Sequence, residues 1–122
     1  MLFRSVGVIG LPETTARTLG LKAREVVAEL AASRDAVAVG PGIGLDAETQ
    51  QVARSLVAEL RKPMAVDADG LTALVRHLDA LAAAPAARCL TPHPGEMARM
   101  LETSVADVER DRIGRASCRE RV

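Results

Sequence analysis

Three short strings hold residue types at spacings that could do chemistry. Thr91-Pro92-His93-Pro94-Gly95-Glu96 sets one histidine between two prolines. The pyrrolidine rings fix the backbone on both sides. Pro94 suits the first position of a helix and Glu96 its first turn. His93 would then stand at a helix N-terminus, where a neutral, hydrogen-bonding imidazole is expected. Glu96, one turn on, could reach a metal-bound water. The plainer alternative is a stiff loop with an exposed histidine and a capping glutamate. Gly40-Pro41-Gly42-Ile43-Gly44 is the second string. Its glycines allow positive φ and close approach to a ligand, and the following helix N-terminus favours an anion or a polar edge. A tight strand-to-helix turn without a ligand fits the same residues. Asp67-Ala68-Asp69-Gly70 is the third. Two carboxylates two apart could hold a cation through water, take a proton or bind hydroxyls. The alternative is an Asp-Gly turn with Asp69 capping the next helix.

The elements that must position these strings alternate between short apolar runs and amphipathic stretches. Residues 6–11 (VGVIGL) read as a strand ended by Pro12, and 15–32 as a helix, with Gly20 its weakest point. Residues 36–39 form a β-rich run closed by glycines. Asp46 is a plausible N-cap for a helix with Val52, Ala53, Leu56, Val57 and Leu60 on one face, stopped before Pro63. Residues 64–66 are a strand, 71–81 one helix or two short ones, and 88–90 a further strand. Ser104 could cap a last helix through Arg112. His77 and Arg76 read as surface residues, and Cys89 as a small buried hydrophobe. This alternation means βαβ units and a mostly parallel sheet. All three strings then fall at strand C-termini, along the rim where such folds bind ligands.

Composition narrows the classes. Of 122 residues, 48% are apolar and 26% charged, ordinary globular usage. Net charge is zero, so no basic stripe for nucleic acid is supported. Phe3 is the one aromatic residue, which removes ring stacking on bases. No apolar run approaches the ~18–20 residues of a membrane span, and no secretory signal opens the chain. Cys89 and Cys118 form no metal or redox pattern, and a reducing cytoplasm is the default. Residues 113–122 (IGRASCRERV) break the preceding periodicity. They are similar to one reading frame of a common short-read sequencing adapter. Residues 1–112 are therefore expected to be the genuine part, with 13 basic and 15 acidic residues.

Together, VAVGPGIG, AVDADGL and CLTPHPGEMARML, with Leu11-Pro12-Glu13-Thr14 before them, closely resemble the ADP-dependent NAD(P)H-hydrate dehydratases. These are carbohydrate-kinase-like enzymes of the ribokinase-like superfamily. The resemblance covers about residues 6–112, with Thr72 where the family usually has Asn. It implies an α/β, ribokinase-like three-layer fold with a mostly parallel sheet, of which this chain is the central fragment. It implies a hydro-lyase that removes water from hydrated NADH or NADPH, driven by ADP or ATP with Mg2+. Gly42, Gly44 and His93 would contact the hydrated dinucleotide, with Gly40, Asp67 and Asp69 lining the crevice. Glu96 would help hold magnesium through water. Family members commonly oligomerise, so a homo-oligomeric full-length protein is implied.

The family's Lys-Gly segment for the adenine nucleotide and its Gly-Ser-Gly-Asp-like loop with the catalytic Asp have no counterpart in this sequence. The 122 residues alone are therefore expected to be inactive. Three other readings share some of the features. A sugar or small-alcohol kinase of the same superfamily would have the fold but typically Asn at position 93. A Rossmann-type dinucleotide-binding module would use the Gly40/Gly42 pair and Asp67, although Leu45 breaks its glycine fingerprint. A non-catalytic half-domain would act only by docking on a partner.

Overall fold

Val37 and Val39 alternate with Ala38, and two prolines and a run of glycines bracket the apolar segments around them. This is a pattern for short strands between capped helices. The computed structural model describes residues 7–111 and realises that pattern. In chain order the elements are α1 (Ala23–Ala32), β1 (Val37–Val39), α2 (Ala47–Glu59), β2 (Met64–Val66), α3 (Asp69–Leu74), α4 (Asp79–Ala83), β3 (Arg88–Leu90), α5 (Pro94–Met100) and α6 (Val105–Arg110). The three strands form one parallel sheet in the order β1-β2-β3. Their register aligns Val37 with Met64 and Arg88, and Val39 with Val66 and Leu90. The fold is thus α/β with a parallel sheet.

One face of that sheet carries the core. Val39, Met64, Val66 and Leu90 pack with Val52, Leu56 and Val57 of α2, Leu71 and Leu74 of α3, and Met100 of α5. The other face presents Ala38, Ala65 and Cys89, one per strand and in register, all exposed. Cys89 is therefore not the buried hydrophobe expected of it. A strand's successive side chains point to opposite faces, and Cys89 falls on the face that no described helix covers. No helix among the described residues is long and apolar enough to cross a membrane.

α2 behaves as its pattern requires. The Asp46 carboxylate accepts from Glu48 N at 3.0 Å, and Val52, Ala53, Leu56 and Val57 are buried. The expected helix over 15–32 begins only at Ala23. The Thr14 hydroxyl accepts from Ala16 N and Thr18 N, Arg17 takes a φ of +59°, and Glu13 bridges Leu19. Side-chain bonds to nearby backbone thus compete with the helix and win. The strand expected over 6–11 is not formed at residues 7–11. Val6, Phe3, Arg112, Cys118 and the segment 113–122 lie outside the described residues. Residues 71–81 resolve into two short helices, and Ser104 caps α6 by accepting from Asp107 N at 3.1 Å.

Arg88 opens β3 and is 2% exposed. Its guanidinium donates to the carbonyls of Val57, Leu60, Lys62, Ala86 and Ala87. Two of these lie at the C-terminal end of α2, whose last carbonyls have no partner within the helix. Burial holds the Arg88 pKa below the usual arginine value. Five directed carbonyls compensate the buried cation where no carboxylate among the described residues does. The same bonds tie the start of β3 to the end of α2.

Candidate functional site

The parallel register puts the C-terminal ends of β1, β2 and β3 side by side. Each end runs into one of the three strings. Asp67 N donates to Val39 O at 3.1 Å, and Thr91 N to Val66 O at 3.3 Å, so the ladder continues into the rim.

The first two strings are locked together. Gly40 has a φ of +144°, and a Cβ there would lie 1.7 Å from Asp67 O. No other residue fits that contact. Gly70 packs against the same junction less tightly, its Cβ position 3.1 Å from Val39 O and 3.2 Å from the Gly40 Cα. Asp69 Oδ2 accepts from Gly44 N at 3.0 Å across 25 residues of sequence. Asp69 therefore does not cap α3: the N-cap position is Ala68, with no side-chain bond. The alternation of side chains that would have aligned the two aspartates ends at Asp67. Ala68 turns the chain, with φ +48° and ψ −122°, a region that costs a residue with a Cβ about 1–3 kcal/mol.

Gly42 differs from its neighbours. It takes a φ of +76°, is exposed, and has open space where a Cβ would stand. Its N–H donates to no described residue. Gly44, by contrast, has a φ of +89° and a Cβ position 2.7 Å from Thr18 Cγ2. Thr18 is itself held by hydroxyl bonds of 2.8 Å to Thr14 and Thr49. An open cleft of about 490 Å³ lies on this side, between Pro12, Arg17 and Thr18 of the preceding loop and Gly40, Gly42 and Ile43. His93, Asp67 and Asp69 do not line it.

The third string is self-contained. His93 Nδ1 accepts from Gly95 N at 3.1 Å and Glu96 N at 3.3 Å, while Glu96 Oε2 accepts from His93 N at 3.0 Å. This is a reciprocal capping box with histidine as the cap, and Pro94 opens the helix as expected. Because Nδ1 accepts, the ring proton sits on Nε2, which lies 3.4 Å from Glu96 Oε1. The His93 side chain is 64% exposed, so this N–H is available to a ligand. Glu96 is buried. Among the described residues no hydrogen bond joins His93 or Glu96 to the other two strings, and no three His, Cys, Asp or Glu side chains form a metal cluster. Those residues therefore do not fit a resident Mg2+ by themselves. Glu96 would reach one only through water, since Oε2 is already engaged.

Some positioning residues escaped the sequence reading. Thr49 left a faint signal, a hydroxyl on the buried stripe of α2 that needs a partner. Arg88 left another, a cation opening an apolar strand. Thr18 left none.

Residues 8–120 match the sequence model of a family described as NAD(P)H-hydrate dehydratase. That match extends into the segment 113–122. Among curated proteins, the bifunctional NAD(P)H-hydrate repair enzyme Nnr of Thermofilum pendens is 42% identical over 106 residues, 87% of this chain and 20% of the relative. Its namesake in Moorella thermoacetica is 39% identical over 105 residues, 86% of this chain and 20% of the relative. That of Escherichia coli is 44% identical over 79 residues, 65% of this chain and 14% of the relative. The chain thus spans about a fifth of the length of the first two relatives.

Proposed function

The chain belongs to the NAD(P)H-hydrate dehydratase family, and from that premise we propose that its rim is the hydrate-binding part of an ADP- or ATP-dependent repair enzyme. The observation that carries this reading is the convergence of Gly42 and His93 on one sheet rim. Both carry polar hydrogens on that rim: a backbone N–H without a described partner and the Nε2–H of an exposed ring. Such paired donors suit the carboxamide and hydroxyl edges of a hydrated nicotinamide. Gly40 and Asp67 join the ends of β1 and β2 by their close contact.

In the reaction, the terminal phosphoryl group of ADP or ATP passes to the hydrate hydroxyl, whose proton a base removes. The nucleotide leaves with one phosphate fewer. The C–O bond then breaks, phosphate departs with the electron pair, and loss of a proton from the neighbouring carbon restores the dihydropyridine. This chain's residues bind and orient the hydrate. Phosphoryl transfer depends mainly on preorganised charge around the phosphates, and the loops that would supply it are not in this sequence. Magnesium would supply charge neutralisation, and no step of the binding role runs through it. We further assign residues 1–112 to the domain and 113–122 to adapter-derived sequence. Resequencing the source locus past the Arg112 codon tests this, and an unchanged IGRASCRERV reading would refute it.

Nuclear magnetic resonance titration of the 122-residue chain with hydrated NADPH tests the binding role. The Gly42 amide and the His93 ring should shift, undamaged NADPH should shift them less, and added millimolar ADP should give no turnover. Equal shifts with undamaged NADPH, or none, would overturn the binding assignment. Turnover would overturn the inactivity.

A further inference from the structure

We propose that Asp69 is a positioning residue: its carboxylate holds the Gly40–Gly44 loop in place for the ligand and does not itself touch the ligand. This deepens the hydrate-binding reading and rests on it. Three observations converge. Asp69 Oδ2 accepts from Gly44 N at 3.0 Å, although its own helix would welcome a carboxylate at that terminus and receives no cap from it. Gly44 also lies close against Thr18, whose hydroxyl is anchored to Thr49 of α2. Ala68, immediately before Asp69, adopts a conformation that favours glycine, and this turn aims the carboxylate back beneath the loop. Strain of this kind persists only where surrounding contacts hold it, and it clusters at ligand sites.

The consequence is a division of labour within one string. Gly44 N–H is committed to Asp69 and is withdrawn from the crevice. Gly42 N–H has no such partner among the described residues, and the residue is exposed with open space at its Cβ position. Of the two glycines that the family resemblance assigns to the substrate, Gly42 is the contact and Gly44 is the hinge pin behind it.

Three proteins decide the matter: the unaltered chain, Asp69→Asn and Asp69→Leu. Each is read twice, by hydrogen exchange at the Gly44 amide and by titration with hydrated NADPH. Asparagine keeps an acceptor oxygen in the same place, so Asp69→Asn should retain Gly44 protection and hydrate affinity within about threefold. Asp69→Leu has the size without the acceptor. It should lose Gly44 protection and weaken hydrate binding by about tenfold or more. If Asp69→Asn loses hydrate binding while Gly44 stays protected, the carboxylate meets the ligand directly and the proposal fails. It also fails if Asp69→Leu leaves Gly44 protected. Should Asp69→Leu not fold, the Asp69→Asn pair of readings decides alone. If the unaltered chain shows no hydrate-dependent shift, the functional reading falls, while the exchange comparison still tests what holds Gly44.

Discussion

The two halves of the rim are built on opposite plans. At β1 and β2, the glycine loop has one local turn bond, from Ile43 N to Gly40 O at 3.2 Å, but it is placed by distant residues. Its conformation depends on Asp67, Asp69 and Gly70, about 25 residues downstream, and on Thr18, 26 residues upstream of Gly44. At β3, the His93–Glu96 turn is held by bonds among His93, Gly95 and Glu96, all within four consecutive residues. The first half is a joint between segments and exists only when the sheet has formed. The second carries its own cap and follows β3 wherever that strand is placed. A site of this kind has one part whose geometry is as cooperative as the fold and one part whose geometry is local.

The contrast predicts a graded set of responses. Gly40→Ala strikes the joint where a Cβ would meet the Asp67 carbonyl. It should cost about 4 kcal/mol or more, seen as loss of a cooperative urea transition; a transition near the original midpoint would show that the joint can give. Arg88→Met acts on the placement of β3. It leaves five carbonyls without their donor and should cost about 3 kcal/mol. The His93–Glu96 turn should nevertheless keep its own amide protection in whatever fraction stays folded.

His93→Ala removes only the local cap. It should cost about 1.5 kcal/mol and abolish the hydrate-dependent shift, leaving the Gly44 amide protected. Loss of Gly44 protection would mean that the halves are coupled after all. Ala68→Gly relieves the strained turn at the joint. The gain of about 1 kcal/mol is strain relief less the added freedom of the unfolded glycine, and a rise in the urea midpoint would show it.

The smallest effect lies outside the rim, at the locally capped start of α6. The Asp107 carboxyl in α6 is held below the ordinary value, first by the Ser104 hydroxyl and then by that of Thr103, with a smaller contribution from Arg110. A depressed folded-state pKa gives stability that is present above the unfolded value and lost as pH falls through the folded one. Asp107→Asn should therefore flatten the acid-side loss of α6 structure below about pH 4 and leave the joint unchanged, as followed by amide shifts on both.

Much of this was legible in the sequence. Pro94 and Glu96 announced α5, Asp46 announced α2, and the alternation of elements gave the parallel sheet with the three strings on one rim. What misled was equally physical. Apolar spacing over residues 15–32 suggested one helix, but the Thr14 hydroxyl offered the backbone another set of bonds. Cys89 looked buried because a strand's composition does not say which of its faces is covered.

The sequence by itself determined the family, the alternation of strands and helices, and the helix that opens at Pro94, because these depend on residues within a turn or two of each other. The tertiary structure alone decided that Gly44 bonds Asp69, that Gly40 must be glycine because of Asp67, and that Arg88 is satisfied by five carbonyls. Each of those facts joins segments about 25–30 residues apart. Such contacts exist only once the chain's conformational entropy has been overcome by burial of the core.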